Sequence, residues 1–297
     1  MAASTPTREP AEGVTAARSL AGVAAKRTLG GLVWLTLEVP GWPGARPGQF
    51  ALLQAPDSRC FLGRALSIAQ EEGDLVSFLI APVGAGTREL CALREGERVW
   101  VLGPLGNGFD LRTLTGGRKR LLVVAGGVGA APFPLLLSRV GSGDGGETGH
   151  AAEVLVLLGF RDAAQAAGAQ PVIDAGAALH ERGVVCRTDV VTEDGSLGRA
   201  EKVTDTLQRE LRPGDSLAVC GPWAMCEAVA RVCGAVPDVQ AWFSLEAGMA
   251  CGVGSCHGCV ILLAEGTTAR VCREGPVFST RALFAPGSGP AGGAGEA

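Results

Sequence analysis

Four cysteines near the C-terminal end constrain this chain more than any other feature. They stand as Cys251-x4-Cys256-x2-Cys259, followed after twelve intervening residues by Cys272. Thiolate is the preferred ligand of iron–sulfur clusters, and C-x4-C-x2-C…C is the spacing of a plant-type [2Fe–2S] site. Gly248, Gly252, Gly254 and Gly258 interleave with the first three cysteines. They leave little side-chain bulk, so the backbone can fold tightly and aim its N–H groups at the sulfurs. One-electron chemistry follows from such a cluster. Two blander readings compete with it, a structural zinc site and a group of inert thiols. Zinc sites favour two short cysteine pairs, whereas this chain offers an x4, an x2 and one distant cysteine. His257 lies between ligands but is expected as a solvated loop residue, since four cysteines already complete the set.

At 297 residues the chain is long enough for two globular domains, each with its own core. The net charge is −4, from 26 Lys and Arg against 30 Asp and Glu, with no basic run, which argues against a nucleic-acid partner. Six further cysteines (Cys60, Cys91, Cys186, Cys220, Cys226, Cys233) fall in apolar stretches, where a small hydrophobe would serve. Labile iron and free thiols suit a reducing compartment. Neither a signal-peptide core nor a membrane-length apolar run is present, so a soluble, cytoplasmic chain is expected.

Residues 1–19 are polar and Ala-rich and read as a disordered extension. Residues 20–112 read as short β segments (33–39, 49–53, 76–81, 98–102) punctuated by Gly and Pro, the pattern of a small antiparallel barrel. From Leu121 the rhythm becomes strand, glycine loop, helix, with further strand candidates at 153–158, 184–189 and 216–220. That alternation over 118–243 predicts a parallel, doubly wound α/β sheet. Residues 244–285 form the cysteine module, residues 141–149 a Gly-rich loop, and 286–297 a flexible tail.

Two further motifs carry chemistry. A buried strand delivers Gly126-Gly127-Val128-Gly129 to a helix N-terminus, where glycines and unpaired N–H groups can take a pyrophosphate. Pro132 stands where a strict dinucleotide fingerprint has its third glycine, and alone the loop is equally a tight βα turn. Cys220-Gly221-Pro222 follows another strand of the same sheet, so both loops could flank one nucleotide at the strands' carboxyl ends. In the barrel, Arg64-Ala65-Leu66-Ser67 and Gly84-Ala85-Gly86-Thr87 offer a diphosphate-binding arginine and a helix start that Thr87 can cap, although either tetrad alone is common surface chemistry.

Barrel, nucleotide sheet and plant-type cluster, in that order, resemble the ferredoxin–NADP reductase superfamily. Within it the chain is similar to the electron-transfer subunits of bacterial class 1B dihydroorotate dehydrogenases. The resemblance covers roughly residues 20–285. It rests on Pro47-Gly48-Gln49-Phe50, the two barrel tetrads, Gly103-Pro104-Leu105-Gly106-Asn107-Gly108-Phe109, the Gly126 loop, Leu158-Gly159-Phe160-Arg161 and Glu193-Asp194-Gly195-Ser196. Further matches are Val203-Thr204-Asp205, Ser244-Leu245-Glu246 and Cys272-x-x-Gly275-Pro276-Val277-Phe278.

The resemblance implies FAD in the barrel, with Arg64 on its diphosphate and Ser67 near the reactive flavin nitrogen. Ala65, Leu66, Leu79, Ile80, Ala81, Gly86 and Thr87 would complete the contacts, mainly through backbone. It implies NAD(H) at Gly126, Gly127 and Gly129, with Cys220, Gly221 and Pro222 near the nicotinamide, and no acid–base side chain. It also implies a heterotetramer with a separate FMN-containing catalytic subunit that oxidises dihydroorotate in pyrimidine synthesis. The chain departs from the family pattern in Ala65 for proline, Ala81 for arginine and Leu197 for an aromatic residue. Two other readings stay open. One is the small subunit of an NADH-dependent ferredoxin–NADP oxidoreductase or sulfide dehydrogenase. The other is a non-enzymatic, zinc-stapled interaction protein, which would be colourless.

Overall fold

The computed structural model describes residues 16–116, 118, 120–141 and 151–284. Residues 1–15 of the expected extension, 142–149 of the Gly-rich loop and the 286–297 tail lie outside the described residues. Six antiparallel strands close a barrel in the order β1-β2-β5-β4-β3-β6. They are β1 (Ala17–Leu29), β2 (Leu32–Glu38), β3 (Phe50–Gln54), β4 (Arg64–Glu72), β5 (Leu75–Ile80) and β6 (Arg98–Leu105). β1 begins inside the stretch expected as an extension, because Ala17 to Gly22 pair with β6 and close the barrel. Leu35, Leu37, Leu53, Val76, Phe78, Ile80, Val99 and Val101 fill its interior. The helix α1 (Ala85–Ala92) adds Leu90 to that core. Outward residues of β2 and β5 are buried too. Leu32, Trp34, Leu79 and Ala69 pack with Ala131 of the following unit, so this wall is an interdomain seam.

After α2 (Leu111–Thr115) comes the α/β unit. Its parallel strands are β7 (Arg120–Gly126), β8 (Glu153–Phe160), β9 (Val185–Thr192), β10 (Ser216–Cys220) and β11 (Gln240–Ser244). Successive side chains point to opposite faces of a strand, and this sheet is apolar on both. Leu122, Val124, Leu155, Leu157, Leu217 and Val219 face α6 (Val203–Glu210) and α7 (Trp223–Gly234). Leu121, Val123, Val154, Val156 and Ala218 face α3 (Phe133–Arg139) and α5 (Gln170–Glu181), while the short α4 (Ala163–Ala166) follows β8. The order β11-β10-β7-β8-β9 reverses between β7 and β10, which makes that junction the switch point where open α/β sheets bind ligands.

The cysteine module is woven into both units. It carries the hairpin β12 (Val260–Leu262) and β13 (Thr268–Arg270), then β14 (Val277–Ser279) and α8 (Thr280–Leu283). β14 pairs antiparallel with β11, adding an edge strand to the expected parallel sheet. Cys259, Val271, Cys272 and Phe278 share one core with Phe50, Leu52 and Leu105 of the barrel and with Val124 and Val219 of the sheet. No helix among the described residues is long and apolar enough to cross a membrane.

The two units also meet at the β1–β2 turn. Gly30 has φ +59°, and a Cβ there would collide with the carbonyl oxygen of Ala164, whereas a Cβ at Gly31 would meet nothing within 4 Å. Gly30→Ala should therefore destabilise the chain by about 1–3 kcal/mol through positive-φ strain and loss of the seam. Gly31→Ala should fall within about 0.5 kcal/mol of the parent. Urea unfolding of both variants checks the contrast.

Candidate electron-transfer site

A cavity of about 360 Å³ opens between the barrel and the carboxyl edge of the sheet. The barrel supplies Gly31 and Leu32 from the β1–β2 turn and Ala81, Pro82 and Val83 from beyond β5. The sheet supplies Gly126, Gly127 and Val128 at the end of β7, Phe160 at the end of β8 with Gln165 of α4, Pro222 after β10 and Glu246 after β11. Parallel pairing of β7 with β10 brings the two predicted nucleotide loops together. A Cβ on Gly129 would lie 2.5 Å from the Cys220 carbonyl oxygen, so only glycine permits this approach. Met225 spaces both loops, since a Cβ on Gly126 would lie 2.7 Å from its Sδ and one on Gly221 2.6 Å from its Cε.

The structure corrects one detail of the loop. A 3-10 turn over Gly127–Ala130, then Ala131 and Pro132, separates it from α3, so the helix does not begin at the glycines. Gly127 at φ +56° opens that turn. Cys220 is 2 % exposed, and burial, with Glu246 nearby, pushes its thiol well above the usual range. It packs as a small hydrophobe and is no nucleophile.

Arg64, Gly86 and Thr87 form a second group beside this cavity. Arg64 donates from Nη2 to the Leu62 carbonyl oxygen at 2.8 Å, while its Nε is buried with no hydrogen-bond partner. A Cβ on Gly86 would lie 2.6 Å from that Nε, so glycine lets the guanidinium lie over the start of α1. A buried donor without an acceptor, at a helix start whose first N–H groups have no helical partner, suits an anion. The donor set thus fits the diphosphate of a dinucleotide. Thr87 does not cap α1 as its first residue. Gly84 takes that place, and Thr87, one turn in, accepts from the Gly84 N–H at 3.0 Å and donates to its carbonyl oxygen at 3.1 Å. Ile80 turns its side chain into the barrel core and Leu79 into the interdomain seam, leaving only backbone for a ligand. Ala65, Leu66 and Ser67 extend β4 from Arg64, opposite Leu52, Ala51 and Phe50. Ser67 does not line the cavity itself.

The four module cysteines fall into two pairs. The Cys256 N–H donates to Cys251 Sγ at 3.4 Å, and the Cys272 N–H to Cys259 Sγ at 3.4 Å. The Gly258 N–H reaches Cys256 Sγ, also at 3.4 Å. Among the described residues no three Cys, His, Asp or Glu side chains gather as a site for a single ion. Two thiol pairs would suit a two-metal cluster in which each metal takes two sulfurs. Against the burial that would raise it, N–H groups of Cys256, Val253 and Ser255 bring the Cys251 thiol down to about 6. Burial, then the adjoining Cys259 thiol, pushes Cys272 up to about 12. Crowded thiols that resist joint ionisation are what a bound cation deprotonates. His257 is exposed, with φ 57°. All ten cysteines are free of disulfides.

Sequence reasoning gave no role to several residues that build this site. Glu246 is open to solvent at the cavity mouth yet surrounded by protein, and burial raises its carboxyl pKa. It lies in the matched Ser244-Leu245-Glu246 stretch, so a signal existed. Phe160 likewise lies in the matched Leu158-Gly159-Phe160-Arg161 stretch, whereas Gly31, Leu32 and Gln165 had no signal, because they enter through the interdomain seam. Asn107 joins the barrel to the module. Its Nδ2 donates to the carbonyl oxygens of Glu274 at 2.8 Å and Val277 at 2.9 Å, and its Oδ1 accepts from the Val277 N–H at 3.0 Å.

Two outcomes follow from this geometry. Asn107→Ala removes the three side-chain hydrogen bonds to the module, each worth about 0.5–1.5 kcal/mol, so bound iron should fall while bound flavin stays, as read by metal and flavin analysis. Gly129→Ala should weaken NADH binding in a titration by at least about tenfold, because the two loops must separate.

Comparison with known proteins agrees with this geometry. The family model of the iron–sulfur cluster binding domain of dihydroorotate dehydrogenase B matches residues 246–284. The electron transfer subunit of dihydroorotate dehydrogenase B (NAD(+)) from Clostridium acetobutylicum is 33 % identical over 242 residues, covering 82 % of this chain and 87 % of the relative. That from Bacillus velezensis is 36 % identical over 241 residues, covering 78 % and 84 %. Among solved structures, an NADH-dependent reduced ferredoxin–NADP oxidoreductase aligns with TM-score 0.68 at 24 % identity, over 92 % of this chain and 91 % of that one. A ferredoxin NADP+ reductase from Neisseria gonorrhoeae with bound FAD and NADP aligns with TM-score 0.58 at 18 % identity, over 72 % and 89 %. These last two show the shared fold. Identity of about one third across four fifths of the chain shows more: the chain belongs to the family of electron transfer subunits of dihydroorotate dehydrogenase B.

Proposed function

We propose that this chain carries electrons between NAD(H) and a separate FMN-containing catalytic subunit that interconverts dihydroorotate and orotate, in a heterotetramer with two copies of each. The observation that carries the reading is the continuous core joining barrel, switch point and cysteine module, which would set the three proposed redox sites side by side. Arg64, Gly86 and Thr87, with backbone from Leu79, Ile80 and Ala81, would hold the FAD, and Ser67 would stand near its reactive nitrogen. Gly126, Gly127, Gly129, Cys220, Gly221 and Pro222 would hold NAD(H), and Cys251, Cys256, Cys259 and Cys272 the [2Fe–2S] cluster.

A bound flavin exchanges a hydride with nicotinamide and single electrons with an iron–sulfur centre. The chain's own residues supply what that chemistry needs. The Gly129 and Cys220 loops fix the dinucleotide at the switch point. Leu32, Ala81, Val83, Phe160 and Pro222 make the cavity wall largely apolar, which keeps water from the transferred hydride. No side chain acts as general acid or base. Buried Cys259 (4 % exposed) and Cys272 (2 % exposed) face the shared core, whereas Cys256 is exposed, so a cluster held by these cysteines would have buried ligands and an exposed one.

The test is an anaerobic NADH titration of the purified chain, followed in the visible spectrum. The account expects a brown-yellow protein that bleaches in both flavin and iron–sulfur bands. Cys256→Ser and Cys272→Ser should leave the flavin bleach and remove the other. A colourless protein that takes up only zinc would overturn the reading. Adding the catalytic subunit should then couple NADH oxidation to orotate reduction. A chain that bleaches with NADH but reduces only ferredoxin would point to the ferredoxin–NADP oxidoreductase alternative.

A further inference from the structure

Two elements carry the two halves of the proposed site, and they lie side by side. β4 starts with Arg64-Ala65-Leu66-Ser67, and α3 follows the Gly126 loop and its turn. The helix packs along the strand. Leu135 of α3 is 1 % exposed inside the barrel core, and Ala131 packs with Ala69 of β4. At the far end, Arg139 of α3 donates from Nη2 to Oε1 of Glu71 of β4 at 2.6 Å. A surface ion pair positions little, because both partners are mobile. This pair differs on one side: the Arg139 side chain is 48 % exposed, but that of Glu71 only 6 %. Its Oε2 also accepts from Trp42 Nε1 at 2.7 Å and its Oε1 from the Ala45 N–H at 3.1 Å. The carboxylate is thus fixed by the barrel before it meets the arginine.

We propose that Glu71 is a positioning residue for hydride transfer. Through Arg139 it clamps the end of α3 to the end of β4, and so sets the separation between the flavin half-site and the nicotinamide half-site. It touches neither ligand. Sites held on rigid elements keep their geometry only if those elements are fixed to each other, and a displacement of 1 Å can slow a reaction about a hundredfold. The inference rests on the assignment of FAD and NAD(H) given above.

The test uses the holoprotein with Glu71→Gln, Arg139→Leu, the two together, and Arg139→Lys. Single-turnover reduction by NADH is followed anaerobically, beside flavin content and amide hydrogen exchange in α3. Arg139→Leu leaves the Trp42 and Ala45 bonds intact, so it carries the test if Glu71→Gln folds poorly. Each single variant should slow flavin reduction by about tenfold or more with flavin content retained. The double variant should be no slower than the worse single one, since both break one interaction. Arg139→Lys should restore most of the rate. Exchange in α3 should quicken in the slow variants, a readout independent of turnover. A folded, flavin-loaded Arg139→Leu protein that is reduced at the parent rate would overturn the proposal. A parent protein that NADH fails to bleach would instead overturn the assignment beneath it.

Discussion

Asn107 is the knot on which the rest of the architecture depends. It follows the last barrel strand, yet its side chain satisfies backbone donors and acceptors of the segment that carries Cys272 and β14. Its own N–H donates to the Gly275 carbonyl oxygen at 2.6 Å. Two residues further on, Val277 begins the pairing of β14 with β11. One amide side chain therefore ties the barrel, the cysteine module and the nucleotide sheet together. Gly106, at φ +75°, is needed there because a Cβ would lie 2.6 Å from Pro276 Cδ. Asn107 itself is exposed, so the tie is held by the number of its hydrogen bonds, each worth about 0.5–1.5 kcal/mol, and not by burial.

That fixed arrangement suits a carrier of electrons. In the function proposed above, its task is to hold three redox groups at constant separation. Its core follows the same logic, since Cys259 and Cys272 share apolar neighbours with both the barrel and the sheet. Glu71 with Arg139 and Gly30 with Ala164 add two further points of contact between the units.

Features written in neighbouring residues were legible from the sequence. The cysteine spacing, the Gly126 loop, Cys220-Gly221-Pro222 and the Arg64 tetrad are local patterns, and the structure gathers the two nucleotide loops at one switch point. The barrel and the doubly wound sheet followed from strand rhythm. Features made by long-range contact were not legible. The partners of Asn107 lie some 170 positions away, and nothing around Gly30 announces Ala164. Thr87 was read as a helix cap because its type suits that role, but the chain enters α1 earlier, at Gly84. Strand β1 is not among the strands expected from the sequence, because Ala17 to Gly22 are ordinary residues whose pairing with β6 is set only by barrel closure. Glu246 lies within a matched stretch, yet only the cavity shows what it faces.

Low-temperature electron paramagnetic resonance of the isolated chain, frozen after anaerobic addition of NADH, tests the central claim most directly. The account predicts a reduced [2Fe–2S] signal that appears with NADH alone and is lost in Cys259→Ser. A chain that loads iron and flavin but shows no cluster signal with NADH, only with dithionite, would contradict an electron path built through these three sites.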